Sequence, residues 1–296
     1  MSDIIIKKAQ KDDFEMIARL ISEQNKDPRT HCIQSDTGKG YEEISQEMAC
    51  LELDTEICFT IAVEGDRCLG VFGCELDEES GRGWLRGPFA LVDAQNWNKV
   101  VTDLYQKLLA TLPPTIHQLD GFLNIANERG NRFYLNQGFR QHQLVHVYVA
   151  NKPEIPLILS PNCERLQARQ APGFIALHDS IFPETYASGR RLVTDIDDDH
   201  QVFVYAKGDE VLGYLYGEIE TGSEEGLVEF IGVREDVRGQ GIGFQLLQTA
   251  LHWFFIEKTM AEVGLNVNDE LANARSLYEK SGFRLSFTGI NTRKEW

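Results

Sequence analysis

The chain has 296 residues and a formal net charge of −17, with hydrophobic residues at 42% and aromatic residues at 10%. That is material for two domains with packed cores, so an intrinsically disordered chain is excluded. The acidity, without a Lys/Arg cluster longer than a pair, argues against nucleic acid as a partner, and the lack of an apolar run of transmembrane length argues against a membrane protein. Ile4 to Ala9 reads as a first strand, and Asp12-Asp13 cap a helix with Phe14, Ile17, Ala18 and Ile21 on one face. A polar loop over 26–40 precedes a helix from Glu42 to Leu53. Cys58–Val63 and Cys68–Leu76 are strands around the turn Glu64 to Arg67, and Trp84–Leu91 is a third. A helix over Val100–Leu112 ends at Pro113-Pro114, followed by a strand at Gly121–Ile125, a short helix at Gly130–Asn136 and a strand at Phe139–Ala150. Residues 151–162, with three prolines, read as a linker.

The second half follows the same plan. A strand at Glu164–Arg169 and a helical region from Phe174 through Ile181 precede strands at Val202–Ala206 and Val211–Ile219. Then come a strand over Leu227–Val233, a glycine-bearing loop, a helix carrying Phe244, Leu247, Ala250, Leu251, Phe254 and Phe255, a strand at Gly264–Val267, a helix at Ala272–Ser281 and a closing strand at Phe283–Ile290. Gly65-Asp66-x-x-Leu69-Gly70 recurs as Gly208-Asp209-x-x-Leu212-Gly213, and Tyr134-x-x-x-Gly138-Phe139 recurs as Tyr278-x-x-x-Gly282-Phe283. Two like matches in one order indicate a duplicated α/β domain, with domains expected over 1–150 and 163–296.

Cys32, Cys50, Cys58, Cys68, Cys74 and Cys163 form no CxxC pair and no metal-ligand spacing, so no metal is expected, and the reading is a soluble, cytoplasmic protein of a reducing compartment. Asp195 to His200 lacks the glycine and terminal glutamate of a calcium loop and reads as a solvated acidic loop. The informative stretch is Arg238-Gly239-Gln240-Gly241-Ile242-Gly243, between a strand and a helix. Glycines there leave bare backbone N–H groups at the positive end of a helix, which is a cradle for phosphate or pyrophosphate. A Walker loop would need Gly-Lys-Ser/Thr, and Gly243-Phe244-Gln245 stands instead; a dinucleotide fingerprint would need glycine where Leu246 is.

Arg238, Gly241 and Gly243 match the order Arg/Gln-x-x-Gly-x-Gly/Ala, and downstream lies Ala274-x-x-Leu277-Tyr278-x-x-x-Gly282-Phe283. Together these resemble the acyl-CoA loop and second signature of the GNAT superfamily of N-acyltransferases, covering 164–296 well and 1–150 weakly. The resemblance implies a mixed, strongly twisted sheet, an α/β fold in two tandem copies, splayed where acyl-CoA inserts. It implies that the edge of Ile231-Gly232-Val233 pairs with pantetheine and that Arg238, Gly239, Gln240, Gly241, Ile242 and Gly243 hold the pyrophosphate. It further implies that a backbone N–H of the same strand polarises the thioester carbonyl and that Tyr278 protonates the leaving thiolate. The family often has an asparagine seven residues before that tyrosine, where Leu271 stands here; of Asn268 and Asn273 on either side, Asn273, inside the helix, is the better candidate. Glu229, on an apolar strand and expected on one face with Ile231 and Val233, is the candidate base for an amine, directly or through water; Tyr214, Tyr216 and Glu218 are candidates for the acceptor cleft.

Aligned by the repeat, Arg238, Gly241 and Gly243 fall on Ala94, Trp97 and Lys99, and Val92 to Lys99 has no glycine. The first half is therefore expected to lack the CoA loop. The function implied is transfer of an acetyl group from acetyl-CoA to a primary amine on a small molecule or peptide, by a monomer or homodimer. The alternative is a non-catalytic acyl-CoA sensor or interaction module.

Overall fold

A computed structural model describes residues 4–35, 40–153, 157–183, 185–219, 224–269 and 272–296, with Ala272 and Asn273 described by backbone alone. The expected roles of Leu271 and the Asn273 side chain, and parts of the loop over 26–40 and the linker over 151–162, lie outside the described residues. In chain order the first elements are β1 (Ile5–Lys8), α1 (Phe14–Asn25), α2 (Tyr41–Cys50), β2 (Ile57–Glu64), β3 (Arg67–Asp77), β4 (Arg82–Ala90), α3 (Ala94–Leu109), β5 (Gln118–Asn124), α4 (Glu128–Asn136) and β6 (Arg140–Asn151). They continue as β7 (Cys163–Arg165), α5 (Ala171–Ile181), α6 (Gly189–Thr194), β8 (His200–Lys207), β9 (Glu210–Ile219), β10 (Glu225–Val233), α7 (Ile242–His252), β11 (Glu262–Asn268), α8 (Ala272–Lys280) and β12 (Arg284–Glu295).

Two compact units divide the chain: unit 1 is Met1–Val145 with Phe287–Trp296, and unit 2 is His146–Ser286. The unit 1 sheet runs β1-β2-β3-β4-β5-β12, and the unit 2 sheet runs from the end of β6 through β11-β10-β9-β8 to β7. In each, two antiparallel hairpin strands lead into a third strand that pairs in parallel with the next, β4 with β5 and β10 with β11. The duplication is thus visible in the topology.

The expected boundary between residues 150 and 163 does not follow the compact units. Gly289–Glu295 of β12 pair antiparallel with Gln118–Asn124 of β5, inside unit 1. Tyr148 and Ala150 of β6 are buried in the core of unit 2. Each strand that follows a Gly-Phe pair leaves its own half of the chain, a displacement that periodicity within one strand does not record. For the same reason β12 continues beyond the expected Ile290, because its ladder with β5 runs to Glu295.

Local chemistry accounts for the other differences. Helix α3 begins six residues before the expected Val100, because the Asp93 carboxylate accepts the N–H groups of Gln95 and Asn96 and caps the helix there. Trp97, Val100, Val101, Leu104, Tyr105 and Leu108 then recur on its buried face. Strand β7 stops at Arg165, short of the expected Arg169. Unit 1 has one core spanning Ala9 to Phe139. Unit 2 has two: one under α7 and α8, including Leu246, Leu247 and Tyr278, and one under α5, including Phe174, Tyr214 and Phe230.

Candidate active site

Strands β10 and β11 part partway along their length. Their parallel pairing covers only Glu225–Val228 against Glu262–Leu265. Beyond it, β10 stays hydrogen-bonded to β9 as far as Val233↔Gly213. Asn266 to Asn268 have no partner on β10, so the sheet opens into a wedge. The register of β10 against β9 slips between Val228 and Phe230, which makes Glu229 the extra residue of a bulge. The strict alternation expected from Glu229 to Val233 is broken there. Ile231 and Val233 pack against the core that contains Leu246 and Tyr278, whereas the Glu229 carboxylate is turned to Tyr186. A bulge re-aims a side chain in this way, and single-strand periodicity cannot register it.

The mouth of the wedge is the glycine loop. Gly239 (φ 79°) and Gly241 (φ 78°) are left-handed, a conformation that a side chain disfavours. Gly243 has a different reason: a Cβ there would come within 2.9 Å of Leu277 Cδ2, so it lets α7 approach α8. From Gly239 to Phe244 the backbone N–H groups have no acceptor among the described residues. They are the orphan donors of a helix start, carrying its positive partial charge. Gly239, Gln240 and Gly241 are exposed, and Ile242 is buried as the first residue of α7. Exposed Arg238 donates through Nε to the Val233 carbonyl at 3.0 Å, fastening the loop to the end of β10. These features fit a diphosphate: bare donors, no Cβ in the way, and a guanidinium beside them.

On α8, Tyr278 is 5% exposed, its ring 6.2 Å from Tyr148 and 6.1 Å from Phe283. Burial pushes its phenol up to about 12. Its hydroxyl has no protein hydrogen-bond partner among the described residues, and the raised phenol stays protonated at neutral pH. The structure records no contact between Tyr278 and Glu229.

Glu229 sits beside a cleft of about 470 Å³ in unit 2, lined by Tyr186, Arg191, Asp195, Asp197, Tyr216 and Glu218 among others. Tyr186, on the segment between α5 and α6, donates its hydroxyl to Glu229 Oε1 at 2.8 Å while its ring lies 5.7 Å from Phe230. Burial raises the Glu229 carboxyl above its ordinary range, and the Tyr186 hydrogen bond opposes that rise. Burial and then the negative charges of Glu229 and Glu218 push the Tyr186 phenol far up. Tyr216 is raised likewise, by burial and then by Glu218 and Asp195, so these carboxylates form one field over two phenols. Buried His178 holds the arrangement: its Nδ1 bonds the Tyr214 hydroxyl at 2.7 Å and its Nε2 the Ala187 carbonyl at 2.9 Å, next to Tyr186.

Tyr216 and Glu218 line this cleft, whereas Tyr214 is fully buried on His178 and does not. Asp197 is occupied locally, accepting N–H groups of Asp199 and His200 and the His200 ring. Asp195, read only as solvated, faces the cleft. Tyr186 was not legible in the sequence, since a lone tyrosine in a loop carries no pattern.

Unit 1 provides the same positions with other groups. Cys74↔Leu85, Glu75↔Trp84 and Leu76↔Gly83 on β3 and β4 reappear 143 residues on as Gly217↔Val228, Glu218↔Leu227 and Ile219↔Gly226. By that register Glu75 corresponds to Glu218; Arg86, next after Leu85, pairs with Gly73, whereas Glu229, next after Val228, is the unpaired residue of the bulge. Arg86 is buried and ion-paired to both Glu75 and Glu47. The gap between β4 and β5 holds the segment from His31 to Ser35: Cys32 bridges to Leu123, and its sulfur accepts the Gly87 N–H at 3.2 Å. Tyr134, the counterpart of Tyr278, donates to the Gly87 carbonyl at 2.5 Å. Where unit 2 has its glycine loop, unit 1 has the first turns of α3 under the Asp93 cap.

Residues 167–283 match the Acetyltransferase (GNAT) family. No curated protein matches the chain by sequence. Among solved structures, a GCN5-related N-acetyltransferase from Sphaerobacter thermophilus superposes with a TM-score of 0.73 at 16% identity, covering 99% of this chain and 95% of that one. A tandem GNAT protein from the clavulanic acid biosynthesis pathway, without AcCoA, gives 0.66 at 11% identity over 99% and 98% of the two chains. An acetyltransferase from the GNAT family of Colwellia psychrerythraea gives 0.57 at 12% identity over 99% and 100%. At these identities the likeness is one of fold, and it extends over the whole length of the chain.

Proposed function

From the premise that this chain has the GNAT fold throughout and that residues 167–283 match the acetyltransferase family, we propose that it is an acetyl-CoA-dependent N-acetyltransferase whose one working site lies in unit 2. The observation that carries the reading is the conjunction of an open wedge between β10 and β11 with unpaired N–H groups from Gly239 to Phe244 at its mouth. The pyrophosphate of the donor binds Arg238 and the loop backbone from Gly239 to Gly243. The free edge of Ile231-Gly232-Val233 pairs with the pantetheine amides, and Asn273 is offered as a further hydrogen-bonding group.

The acceptor amine attacks the thioester carbonyl, so a C–N bond forms and the C–S bond breaks. Glu229, held by Tyr186, accepts the proton lost from nitrogen, directly or through a water. Tyr278 gives its proton to the departing sulfur, and both groups are reset by exchange with solvent. A carboxyl raised above its usual range is better matched to this task than an ordinary one. Unit 1, with its wedge filled by its own chain and its helix start capped by Asp93, has no part in turnover.

Thiol release from acetyl-CoA in the presence of a panel of primary amines tests the proposal. Amine-dependent thiol release, lost in Tyr278→Phe and Glu229→Gln, is expected. Tight CoA binding without turnover on any amine would instead support a sensor.

A further inference from the structure

Tyr186 holds the Glu229 carboxylate, yet it is itself 60% exposed, with its ring 5.7 Å from Phe230. A side chain that open gains little from packing to offset its freedom, so its place depends on how the backbone beneath it is held. Two neighbouring side chains of α5 hold that backbone. His178 Nε2 bonds the Ala187 carbonyl at 2.9 Å, and Asp179 Oδ1 accepts the Gly189 N–H at 2.7 Å. Between these two points the Ser188 side chain caps α6.

His178 is fully buried, with the rings of Phe174, Phe182 and Phe230 within 6.0 Å. A carbonyl only accepts, so Nε2 carries a proton, and in the neutral ring Nδ1 accepts the Tyr214 hydroxyl at 2.7 Å. Both polar ends of the buried imidazole are thereby satisfied, and a buried network satisfied in this way is rigid. The tie runs from Tyr214 on β9 through His178 to Ala187, one residue from the phenol that meets Glu229.

We infer that His178 and Asp179 are positioning residues: they clamp the backbone on either side of Ser188 and so keep the Tyr186 hydroxyl on Glu229. The use made of Glu229 rests on the transferase reading, but the clamp stands apart from turnover. A donated hydrogen bond stabilises a carboxylate, so the Tyr186 bond lowers the Glu229 pKa against burial, which raises it. The Glu229 charge also reaches Tyr216 of β9, and Glu218 acts on both phenols. Loosening the clamp gives up the lowering by Tyr186 and leaves burial unopposed.

The test is titration of the Glu229 carboxyl itself, by carbon NMR of the full chain labelled at the glutamate carboxyls, with its signal assigned by its loss in Glu229→Gln. The midpoint is expected to rise by about half a pH unit or more in His178→Phe, in Asp179→Ala and in Tyr186→Phe. His178→Gln keeps a donor for Ala187 and an acceptor for Tyr214, so its midpoint should stay near that of the parent. A loss of stability alone would not move this midpoint in the folded chain. Asp179 is exposed, so Asp179→Ala serves where His178→Phe does not fold. An unmoved midpoint in either clamp variant that folds, or a rise in His178→Gln equal to that in His178→Phe, would overturn the inference. The expected rise without amine-dependent thiol release by the parent would leave the clamp standing and remove the transferase reading alone.

Discussion

Units 1 and 2 share a topology and differ in what fills it. In unit 2 a helix start presents bare N–H groups, a wedge stands open, a phenol lacks an acceptor, and acidic groups gather round a cleft. In unit 1 the Asp93 carboxylate caps the helix, Cys32 and its neighbours fill the wedge, Tyr134 donates to Gly87, and Arg86 neutralises the glutamates. Where one copy leaves binding capacity unsatisfied, the other consumes it internally. The physical reason is general: buried donors and charges left unpaired are costly, so a fold without a ligand satisfies them with its own groups.

The largest effect is expected from writing unit 1 into unit 2. Gly241→Trp places the Trp97 side chain at a left-handed position beside the proposed pyrophosphate, and CoA binding is expected to fall by about 100-fold or more, since both strain and blockage act. Calorimetry with CoA reads this, and a circular dichroism melt confirms the fold. Retained affinity would remove the loop from the binding site. Next is the reverse operation, removal of the internal cation: Arg86→Met takes the buried guanidinium away from Glu47 and Glu75, at a cost of about 3 kcal/mol of unit 1 stability in denaturant titration. Unchanged stability would mean that the ion pairs of Arg86 are solvated.

The two tyrosines give a paired contrast. Tyr278→Phe is expected to lower kcat by about 100-fold with little change in the KM for acetyl-CoA. Tyr134→Phe is expected to leave kcat alone and cost about 1 kcal/mol of stability, because its hydroxyl serves only the Gly87 carbonyl. Equal kinetic effects would erase the distinction between the units.

The smallest effect is on pH dependence. A base must be ionised, so kcat/KM should rise with pH through the Glu229 pKa, on an acid limb above the ordinary carboxylate range. Tyr186 lowers that pKa, so Tyr186→Phe should move the limb to higher pH, and Glu229→Gln should abolish it. The phenol of Tyr278, at about 12, stays protonated throughout and contributes no alkaline fall in the neutral range. For folding the sign runs the other way: a carboxyl raised by burial destabilises the native state once pH exceeds its unfolded value. Glu229→Gln should therefore unfold slightly later than the parent at neutral pH. A limb unmoved by Tyr186→Phe would show that the base is elsewhere.

Much of this architecture was legible in the residues. The glycine loop, the Tyr278 motif and the duplication are local patterns, and their strand–loop–helix placement is present in the structure. The start of α3 after Asp93 is not visible in the apolar spacing, because the capping aspartate sets it ahead of the first periodic residues. The aim of the Glu229 side chain was hidden because a bulge depends on the neighbouring strand. Tyr186 and the Cys32 segment were hidden because each meets its partners across long stretches of sequence: Tyr186 reaches Glu229, and Cys32 reaches Gly87 and Leu123.

The exchange of β12 bears on how the chain is made. Gly289–Glu295 cover the β5 edge, and Arg293 binds Asp120, itself 2% exposed, at 2.8 Å. During synthesis the first unit therefore waits, with a naked strand edge and a buried carboxylate lacking one of its arginines, until everything in unit 2 has been translated. An edge of that kind invites pairing with other chains. Truncation before Gly289 would therefore bare that edge and leave Asp120 without Arg293, far in sequence from the cut.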